Sequence, residues 1–543
     1  MGYRPTSTGQ FARFIWEAGK FTYGMVKEAE AREAERQAQR QIMLSRIASI
    51  PDPMAGFASG RELDQYRFQN DKPCFFLGRV HPDHGRNELA GMDDDRHVFL
   101  VAGSRSGKGL TIGIPNALMW RGPLLMIDPK GEAASICALR RGSVEQAKGT
   151  GTSVRRFIGQ QVAILDPLGE VRGPARAFRV TYNPLDDIDM SNGGGVRAIR
   201  AAASAIIHAE QGNAAHFSES GETLLAGVIE AVKLTEPPQR QTLPQCRSIL
   251  LAGFDATRAY LERIETRAGL AQEAASLMAE VGDDEWGSFR STLSRSLKWL
   301  GEPDMQDHVK PSAFSLRRAM QEGWSIFICL PPDQINDYRS WLRVIVRTAL
   351  DAKMQLGTNQ KGPATLCLLD EFPALGNFKM IEESAGYMAG YGLKLVPIIQ
   401  NIGQVKNLYA KNWETFLGNA GAIVGFGLND LETETYLADR LGRIMVTESS
   451  ANWSAGSSGQ MFSGGISAGQ GQTLSRHERP VRRANEIHEM GARQTMRGFV
   501  IPASGRGFTV HRVPYTEFPA DSYDAPDFIT QWEAKHHATG QTT

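Results

Sequence analysis

Two separate stretches of this sequence hold residue types that bind and hydrolyse phosphate esters. The first is "AGSRSGKG", residues 102–109, which directly follows the apolar run "HVFLV". A glycine-rich turn between a strand and a helix aims backbone N–H groups and the helix N-terminus at a phosphate. Gly107 allows a close approach of the backbone, and Lys108 supplies a mobile positive charge for the β- and γ-phosphate oxygens. The stretch therefore predicts a nucleotide site.

This glycine loop departs from the usual phosphate-binding pattern at two positions. Ala102 stands in place of the first glycine, and Gly109 replaces the serine or threonine that normally ligates magnesium. Thr111 cannot take over that role, because two residues correspond to about 200° around a helix. An ordinary strand-turn-helix is the alternative interpretation of this stretch taken alone. The residues that we expect to contact the nucleotide are Gly103, Ser104, Arg105, Ser106, Gly107, Lys108, Gly109 and Leu110.

The second stretch is the apolar run "TLCLL" followed by Asp370 and Glu371. Two adjacent carboxylates at a strand end, opposite a glycine loop, are typical of phosphate hydrolysis. Asp370 can hold Mg²⁺ directly or through water, and Glu371 can orient and polarise the attacking water. A helix cap is the alternative for this pair alone. Together with the glycine loop, the pair predicts a hydrolytic site that uses ATP and Mg²⁺.

A third candidate, Gln400, ends the run "LKLVPII", which follows the carboxylates along the chain. A carboxamide at that edge can donate to the γ-phosphate or its water, and so distinguish ATP from ADP. A lone glutamine at a strand end would carry no such role. Its position after the Asp-Glu strand favours a sensor.

Short apolar runs that end in polar loops predict the strands that position these residues. Helical segments lie between the runs, which is typical of a parallel α/β sheet covered on both faces. Proline cannot continue a central strand, so the runs before Asp128-Pro129 and Asp166-Pro167 end there. The predicted strands are "HVFLVAG", "PLLMID", "QVAILD", "WSIFICLPP", "ATLCLLDEFP", "KLVPIIQ" and "AIVGFG".

Residues 192–315 interrupt this alternation, because apolar residues there recur at spacings of three and four between Gly, Pro and Asp breaks. We expect an all-α domain inserted into the α/β core, whose two parts would be residues 71–191 and 316–543. Within the second part, residues 449–475 are rich in Gly and Ser and lack apolar surface to bury. Such a composition favours a mobile surface loop.

Residues 1–70 begin with an aromatic segment and continue in Ala, Glu, Gln and Arg, which favour a helix. The pattern predicts a helical arm that ends before Pro51. No run approaches the roughly 20 apolar residues that a membrane-spanning helix needs. Five apolar residues recur at near-helical intervals and can lie against a partner helix, a bilayer surface or the rest of the chain: Phe11, Phe14, Ile15, Phe21 and Met25.

The charge balance excludes a chain coated with basic residues for nucleic acid, since 60 Lys and Arg stand against 60 Asp and Glu. A local basic patch stays open. The 543 residues exceed a single core of about 250–300 residues, so two or three domains are expected. The 5 cysteines form no C-x-x-C pair, which indicates neither a zinc site nor a disulfide framework and fits a reducing cytosol.

Several segments between about residues 90 and 515 resemble, in the same order, the coupling ATPases of type IV secretion and conjugation, the TraG-like family. The resemblance implies a RecA-like P-loop fold with an inserted all-α domain, ATP and Mg²⁺ as ligands, and a homo-hexamer. A glycine after the loop lysine is common in that family, which favours a working site despite Gly109. The segments are "GSRSGKGL", "LLMIDPKGE", "TYNPLDD", "CLLDEFPALG", "MAGYGLKLVPIIQNIGQVKNLYA" and "NDLETETYLADRLG".

The resemblance also implies roles for single residues. Arg96, twelve residues before Lys108, matches an arginine proposed in some members to reach the nucleotide of a neighbouring subunit. Some relatives have such an arginine eleven residues before the sensor glutamine, where this chain has Ala389. The remaining assignments are phosphate binding to Lys108, magnesium to Asp370, catalysis to Glu371 and sensing to Gln400.

The implied partners are a relaxase–DNA complex or a secreted protein, together with components of a type IV secretion channel. Most members begin with membrane-spanning helices, which the sequence here does not show. We therefore expect a separate membrane protein to hold this otherwise cytoplasmic chain, through residues 1–50, at the inner face of the bacterial membrane. The alternative is a soluble RecA-like ATPase that remodels nucleic acid or protein without a channel. Neighbouring genes for a relaxase and a channel would favour the first interpretation.

Overall fold

The computed structural model describes residues 8–48, 56–208, 215–264, 269–281, 283–457 and 466–538. The chain divides into two compact units, Met1–Gly56 with Gly442–Val481, and Phe57–Leu441 with Arg482–Thr543. The helices of the described residues are α1 (Thr8–Ala48), α2 (Ile114–Met119), α3 (Glu132–Arg141), α4 (Val144–Ala147), α5 (Gly194–Ile206), α6 (Ala215–Thr235), α7 (Leu243–Leu251), α8 (Phe254–Leu261), α9 (Leu270–Glu280), α10 (Asp283–Ser296), α11 (Pro303–His308), α12 (Leu316–Glu322), α13 (Arg339–Met354), α14 (Lys379–Ser384), α15 (Ile402–Tyr409), α16 (Glu414–Gly418), α17 (Leu431–Leu441), α18 (Ala484–Gly491) and α19 (Pro526–Ala538). The strands are β1 (Phe75–Val80), β2 (Leu89–Met92), β3 (His97–Ala102), β4 (Leu124–Asp128), β5 (Val162–Leu165), β6 (Ser325–Cys329), β7 (Thr365–Leu369), β8 (Leu393–Ile399), β9 (Ala420–Phe426), β10 (Arg443–Ser457), β11 (Ile466–Pro480), β12 (Arg497–Pro502) and β13 (Phe508–His511).

The first unit contains α1 and a two-stranded antiparallel ribbon of β10 and β11. α1 is the helix expected before Pro51, and its many Ala, Glu, Gln and Arg residues favour its length of 41 residues. In the described ranges, no helix combines the length and apolarity that crossing a bilayer requires. Met25 is 58% exposed. Outside the described side chains lie the other members of the predicted apolar stripe, Phe11, Phe14, Ile15 and Phe21.

The ribbon occupies the Gly- and Ser-rich stretch that was expected to be a mobile loop, residues 449–475. Arg443 lies opposite Pro480 and Ser457 opposite Ile466 in a continuous register, while residues 458–465 lie outside the described part. The expectation considered only the apolar surface available for burial. Ladder hydrogen bonds join backbone groups, and small side chains do not obstruct them. The loop is therefore corrected to a β-ribbon over the paired residues.

An eleven-stranded sheet forms the centre of the second unit, in the order β2-β1-β13-β12-β9-β3-β8-β7-β4-β6-β5. All neighbours from β9 to β5 are parallel. Every residue of these strands is buried, as expected where helices cover both faces of a sheet. A large apolar cluster lies between the sheet and α2 and α3. The predicted α/β fold with a mostly parallel sheet is confirmed, and each predicted strand pattern forms a strand.

Antiparallel strands that the sequence patterns did not predict extend this sheet beyond β9. β12 pairs with β9, β13 pairs with β12, and β1 pairs with both β13 and β2. β1 and β2 precede the glycine loop in the chain, whereas β12 and β13 lie near the C-terminus. Both ends of the second unit therefore complete the same sheet.

Between β5 and β6 the described residues contain helices and no strand. α6 and α9 pack closely at Gly227, where a Cβ would come within 2.4 Å of the Ala274 Cβ. The buried Glu230 carboxylate on α6 accepts a hydrogen bond of 2.8 Å from the Ala271 N–H in the first turn of α9. The extent of the inserted domain, residues 192–315, stays a prediction.

Candidate nucleotide-binding site

Three candidate segments leave the sheet at the carboxyl ends of adjacent strands. The order β3-β8-β7 places these strand ends side by side. The glycine loop follows β3, Gln400 follows β8, and Asp370 and Glu371 follow β7. In open parallel sheets this edge is where ligands bind. The topology therefore brings together candidates that are far apart in the chain.

The glycine loop is a tight turn with two residues in the left-handed region, Arg105 at φ 56° and Gly107 at φ 90°. The Ser106 N–H donates to the Gly103 carbonyl at 3.2 Å and closes the turn. The chain then enters a π-helical turn over Gly109–Gly113 and continues as α2. Backbone N–H groups in such a turn, followed by a helix N-terminus, form a concavity that suits an anion.

The Thr111 side chain is buried and its hydroxyl contacts the loop backbone. Its Oγ1 donates to the Gly107 carbonyl at 3.0 Å, and the residue is 1% exposed. A Cβ on Gly109 would meet no heavy atom within 4 Å, so packing does not require glycine there. The missing hydroxyl at this position is therefore a chemical feature of the loop that Thr111 does not replace.

The loop packs against the end of β9 through two glycines. A Cβ on Gly103 would come within 2.0 Å of the Gly427 carbonyl oxygen, and a Cβ on Gly427 within 2.3 Å of the Ser106 Cβ. Gly427 also has a left-handed backbone, with φ 60°. Sequence reasoning included Gly427 in a strand pattern without a role, although the "GFG" that ends that run was an available signal.

A buried arginine lies behind the loop and was missed from the sequence. Arg512 directly follows β13, and its Nη1 donates to the Ser106 carbonyl at 2.6 Å. Its Nη2 donates to the Arg493 carbonyl at 3.2 Å, and its Cζ lies 4.4 Å from the centre of the Phe426 ring. Ser106 and Arg512 are 406 residues apart, and no local pattern announces such a contact.

The Lys108 ammonium lies between the two candidate carboxylates. Nζ is 3.3 Å from Asp370 Oδ1 and 3.6 Å from Glu371 Oε2. The Lys108 and Asp370 side chains are each 20% exposed and that of Glu371 is 29% exposed. Partly buried charges at such distances attract one another more strongly than fully exposed ones. The lysine and the carboxylates named from the sequence therefore share one site.

Glu371 and Gln400 lie side by side. Glu371 has φ 65°, a left-handed conformation that costs a residue with a side chain about 1–3 kcal/mol. The Ala374 N–H donates to the Glu371 carbonyl at 2.8 Å and stabilises this turn. Gln400 Nε2 donates to Glu371 Oε2 at 3.5 Å, and the Gln400 N–H donates to Gln404 Oε1 at 2.8 Å. The candidate sensor thus contacts the candidate catalytic carboxylate.

Asp128, at the end of β4, is a further carboxyl group at this edge and is 5% exposed. Burial, together with the negative charges of Asp370 and Glu132, raises its pKa to about 7 against backbone hydrogen bonds that lower it. One of these bonds comes from the Ala134 N–H at 2.7 Å. Sequence reasoning had treated Asp128 only as a strand end.

Arg96 lies at the amino end of β3, whereas the glycine loop lies at its carboxyl end. It precedes β3, so the 6 residues of that strand separate it from the glycine loop. At about 3.3 Å per residue this is roughly 20 Å. Its Nε donates to Asp94 Oδ2 at 2.9 Å, and its side chain is 46% exposed. The buried Lys394 ammonium donates to the Asp94 and Arg96 carbonyls. Arg96 does not contact the nucleotide loop of its own chain.

A family model described as "Type IV secretory system Conjugative DNA transfer" matches residues 57–517. The chain belongs to this family. The matched range contains the glycine loop, both carboxylates and Gln400, as well as the sheet from β1 to β13.

Curated relatives within the conjugative DNA transfer family are similar over part of their length. The conjugal transfer protein TraG of Agrobacterium fabrum is 27% identical over 374 residues, which cover 67% of this chain and 53% of that protein. The type IV secretion system-coupling protein VirD4 of Bartonella quintana is 23% identical over 367 residues, which cover 66% and 55%. The chain thus aligns with only about half the length of these relatives, 53% and 55%.

Solved structures of a conjugative coupling protein share the fold. TrwBdeltaN70 in its unbound monoclinic form aligns with a TM-score of 0.60 at 16% identity, covering 86% of this chain and 94% of that chain. TrwB in complex with the non-hydrolysable ATP analogue ADPNP aligns with a TM-score of 0.59 at 16% identity, covering 84% and 92%. The RecA-like P-loop fold implied by the sequence resemblance is confirmed.

Proposed function

We propose that this chain is an ATP-driven coupling motor that recruits a relaxase–DNA complex or a secreted protein and delivers it to a type IV secretion channel. The observation that carries the proposal is the meeting of Lys108, Asp370, Glu371 and Gln400 at one edge of the sheet. Relatives named for conjugal transfer and for coupling support the transport role. TrwB complexes with ADPNP, with GDPNP and with ADP and Mg²⁺ support the binding of a nucleotide and magnesium.

Each residue of the site has a part in the proposed reaction. When ATP binds, Lys108 exchanges its carboxylate partners for β- and γ-phosphate oxygens. Glu371 is then free to orient a water molecule and accept its proton. Gln400, which donates to Glu371 at 3.5 Å, donates to the γ-phosphate or the attacking water instead. After the γ-phosphate leaves, the side chains of Lys108 and Gln400 contact Glu371 again. Hydrolysis is thereby linked to a local rearrangement of the site.

Magnesium fits this site through Asp370. Its Oδ1 is buried and lies 3.3 Å from the Lys108 ammonium, so it becomes available as an oxygen ligand for a hard cation once Lys108 turns to the phosphates. Within the described ranges, no group of three or more His, Cys, Asp or Glu side chains could hold a metal. Asp370 would therefore hold Mg²⁺ together with phosphate and water oxygens. When bound, the ion neutralises charge on the transferring phosphoryl group.

Replacement of Lys108 by alanine tests the proposed ATPase. Loss of this charge should reduce phosphate release from ATP by about 100-fold or more. Lys361→Ala is the matched control, because Lys361 is an exposed lysine in the loop before β7. Normal hydrolysis by Lys108→Ala would exclude the site.

A mating assay distinguishes transport through a channel from the channel-free alternative. Donor cells that carry Lys108→Ala should lose transfer of plasmid DNA to recipients, or secretion of a reporter-tagged protein if protein is the cargo. Lys361→Ala donors should behave as wild type. If purified Lys108→Ala does not hydrolyse ATP but donors that carry it transfer DNA and secrete protein as wild type does, the result would favour an ATPase that works without the channel.

We place the protein at the inner face of the cytoplasmic membrane through a partner that binds residues 1–50. α1 supports this assignment with three exposed apolar side chains, Trp16 at 61%, Met25 at 58% and Val26 at 55%. A chain without residues 1–50 should still hydrolyse ATP. It should no longer be found in the membrane fraction of cells that express the whole gene cluster. Absence of the full chain from that fraction would contradict the assignment.

A further inference from the structure

The Arg512 guanidinium is buried behind the glycine loop without a carboxylate partner. The residue is 1% exposed, and no Asp or Glu of the described residues lies within ion-pair distance. Two of its nitrogens donate to backbone carbonyls, while Nε has no hydrogen-bond partner in the described part of the chain. Its positive charge is therefore met only by neutral dipoles and by the Phe426 ring.

A buried charge of this kind is costly unless something offsets it. Burial, together with the positive charge of Arg493, lowers the pKa of Arg512 to about 10, so the group stays protonated at neutral pH. The folded protein thus holds an uncompensated cation behind a loop that suits anions. An anion bound in that loop would offset the cost.

The contact with Ser106 also fixes the direction of a loop N–H. In a planar trans peptide the C=O of one residue and the N–H of the next point in opposite directions. Arg512 Nη1 holds the Ser106 carbonyl at 2.6 Å, so the Gly107 N–H points away from the guanidinium. A Cβ on Gly107 would lie 3.7 Å from the same nitrogen, which shows how closely the guanidinium lies behind this peptide.

We propose that Arg512 is a positioning residue of the nucleotide site that turns the Gly107 N–H towards the phosphates and favours the more highly charged nucleotide. The proposal rests on the proposed function only in that the loop binds nucleotide phosphates. The contribution of Arg512 to nucleotide affinity should therefore increase from AMP to ADP to ATP.

Arg141 provides a matched control elsewhere in the same unit. It is 0% exposed and has no carboxylate partner in the described ranges, and burial lowers its pKa to about 9. Its donors reach the Ser325 hydroxyl at 2.6 Å and the carbonyls of Ala117 at 2.8 Å and Trp120 at 3.1 Å. Those carbonyls lie in and just after α2, so Arg141 holds a helix end rather than the glycine loop.

Equilibrium binding of ATP, ADP and AMP, each with Mg²⁺, tests the proposal in Arg512→Met, Arg512→Lys and Arg141→Met. Arg512→Met should weaken ATP binding by about tenfold or more, ADP binding less and AMP binding least. Arg512→Lys should fall in between, because it keeps the charge but not the fork that holds two carbonyls. Arg141→Met should lower the thermal midpoint without changing the affinity of the folded protein.

Equal losses for all three nucleotides, or wild-type ATP affinity in Arg512→Met, would overturn the proposal. If Arg512→Met does not fold, the same comparison is made with Arg512→Lys, and equal affinities for wild type and this variant overturn it. Lys108→Ala separates this failure from that of the function. If Lys108→Ala binds and hydrolyses ATP as wild type does, the nucleotide site itself is rejected. If Lys108→Ala loses ATP binding and hydrolysis while Arg512→Met binds ATP as wild type does, only the role of Arg512 is rejected.

Discussion

Glu371 combines a left-handed backbone with a carboxylate that contacts both Lys108 and Gln400. Glu371→Gln keeps the shape of the side chain and removes the group that accepts a proton. ATP should remain bound, while phosphate release falls by about 100-fold or more. Phosphate release and nucleotide retained through gel filtration are the two measurements.

The control for this variant is Glu383→Gln, since Glu383 is a 64% exposed carboxylate on α14 that lies 3.8 Å from Lys379. It should leave both measurements unchanged. Normal turnover by Glu371→Gln would move the role of general base to another carboxylate at this edge, with Asp128 as the next candidate.

Gly427 is a residue outside the glycine loop on whose small size the packing of that loop depends. A Cβ there would come within 2.3 Å of the Ser106 Cβ, in addition to the left-handed backbone. Gly427→Ala should lower the free energy of unfolding by about 1–3 kcal/mol and weaken ATP binding, because the loop must shift. Thermal unfolding and ATP titration measure the two effects. Gly287→Ala is the control, since Gly287 is exposed on α10 and a Cβ there meets nothing within 4 Å, and equal behaviour of the two variants would refute the argument.

At the scale of elements, β3 is tied to its neighbours by His97. The His97 Nε2 contacts the Ala385 carbonyl at 2.7 Å, and the Leu395 N–H donates to Nδ1 at 3.1 Å. This arrangement requires a neutral ring with its proton on Nε2. Burial, together with the nearby charge of Lys394, lowers the pKa of His97 from 6.5 to about 4, against the hydrogen bond to Ala385, which raises it.

This pKa shift predicts a loss of stability in acid. Between about pH 6.5 and 4 the unfolded chain binds a proton at His97 that the folded chain does not, so the free energy of unfolding rises with pH across that window. The thermal midpoint should therefore fall as pH falls from 6.5 to 4. His97→Gln should reduce this slope, whereas exposed His216→Gln should not. An unchanged slope in His97→Gln would contradict the prediction.

The sequence predicted the parallel strands because each is a buried apolar run that ends at a polar loop. β1, β2, β12 and β13 were missed. β1 pairs with β2 and β12 with β13 as neighbours in the chain, but the β1–β13 and β12–β9 pairings that add them to the sheet join distant segments, and no local period reports such pairing. The residues of the candidate site were likewise predicted where local patterns report them and missed where only a long-range contact does. Lys108, Asp370, Glu371 and Gln400 stand at the ends of predictable strands, whereas Arg512 acts across 406 residues. The β10–β11 ribbon was missed because composition reports burial and not backbone pairing.

At the scale of the whole molecule, the role that the sequence resemblance implies for Arg96 requires an assembly. A half-exposed arginine roughly 20 Å along β3 from its own glycine loop can act on a nucleotide only in another copy of the chain. If Arg96 acts in that way, the Arg96→Ala variant keeps an intact nucleotide site but cannot supply the arginine to a neighbour. The Lys108→Ala variant can supply the arginine but has a defective nucleotide site of its own. A mixture of these two inactive variants should hydrolyse ATP.

The rate of wild type per chain should also rise with protein concentration, because a dilute chain lacks its neighbour. Arg318→Ala serves as the control, since Arg318 is a 74% exposed arginine on α12. A mixture that stays inactive, or a rate per chain independent of concentration, would contradict the role of Arg96 in a neighbouring site.

The closure of one sheet by both ends of the second unit has a consequence for biosynthesis. While the ribosome is still adding residues before Arg497, β9 and β1 each lack the neighbour that β12 and β13 later supply. A nascent chain therefore carries an open edge at β1 for most of its synthesis and a second one at β9 once residues 420–426 have been made, and such edges invite aggregation and chaperone binding. The guanidinium behind the glycine loop also arrives only when residue 512 has been made. Chains released early, before Arg497, should therefore be insoluble, and nucleotide should protect from proteolysis only chains translated nearly to their end.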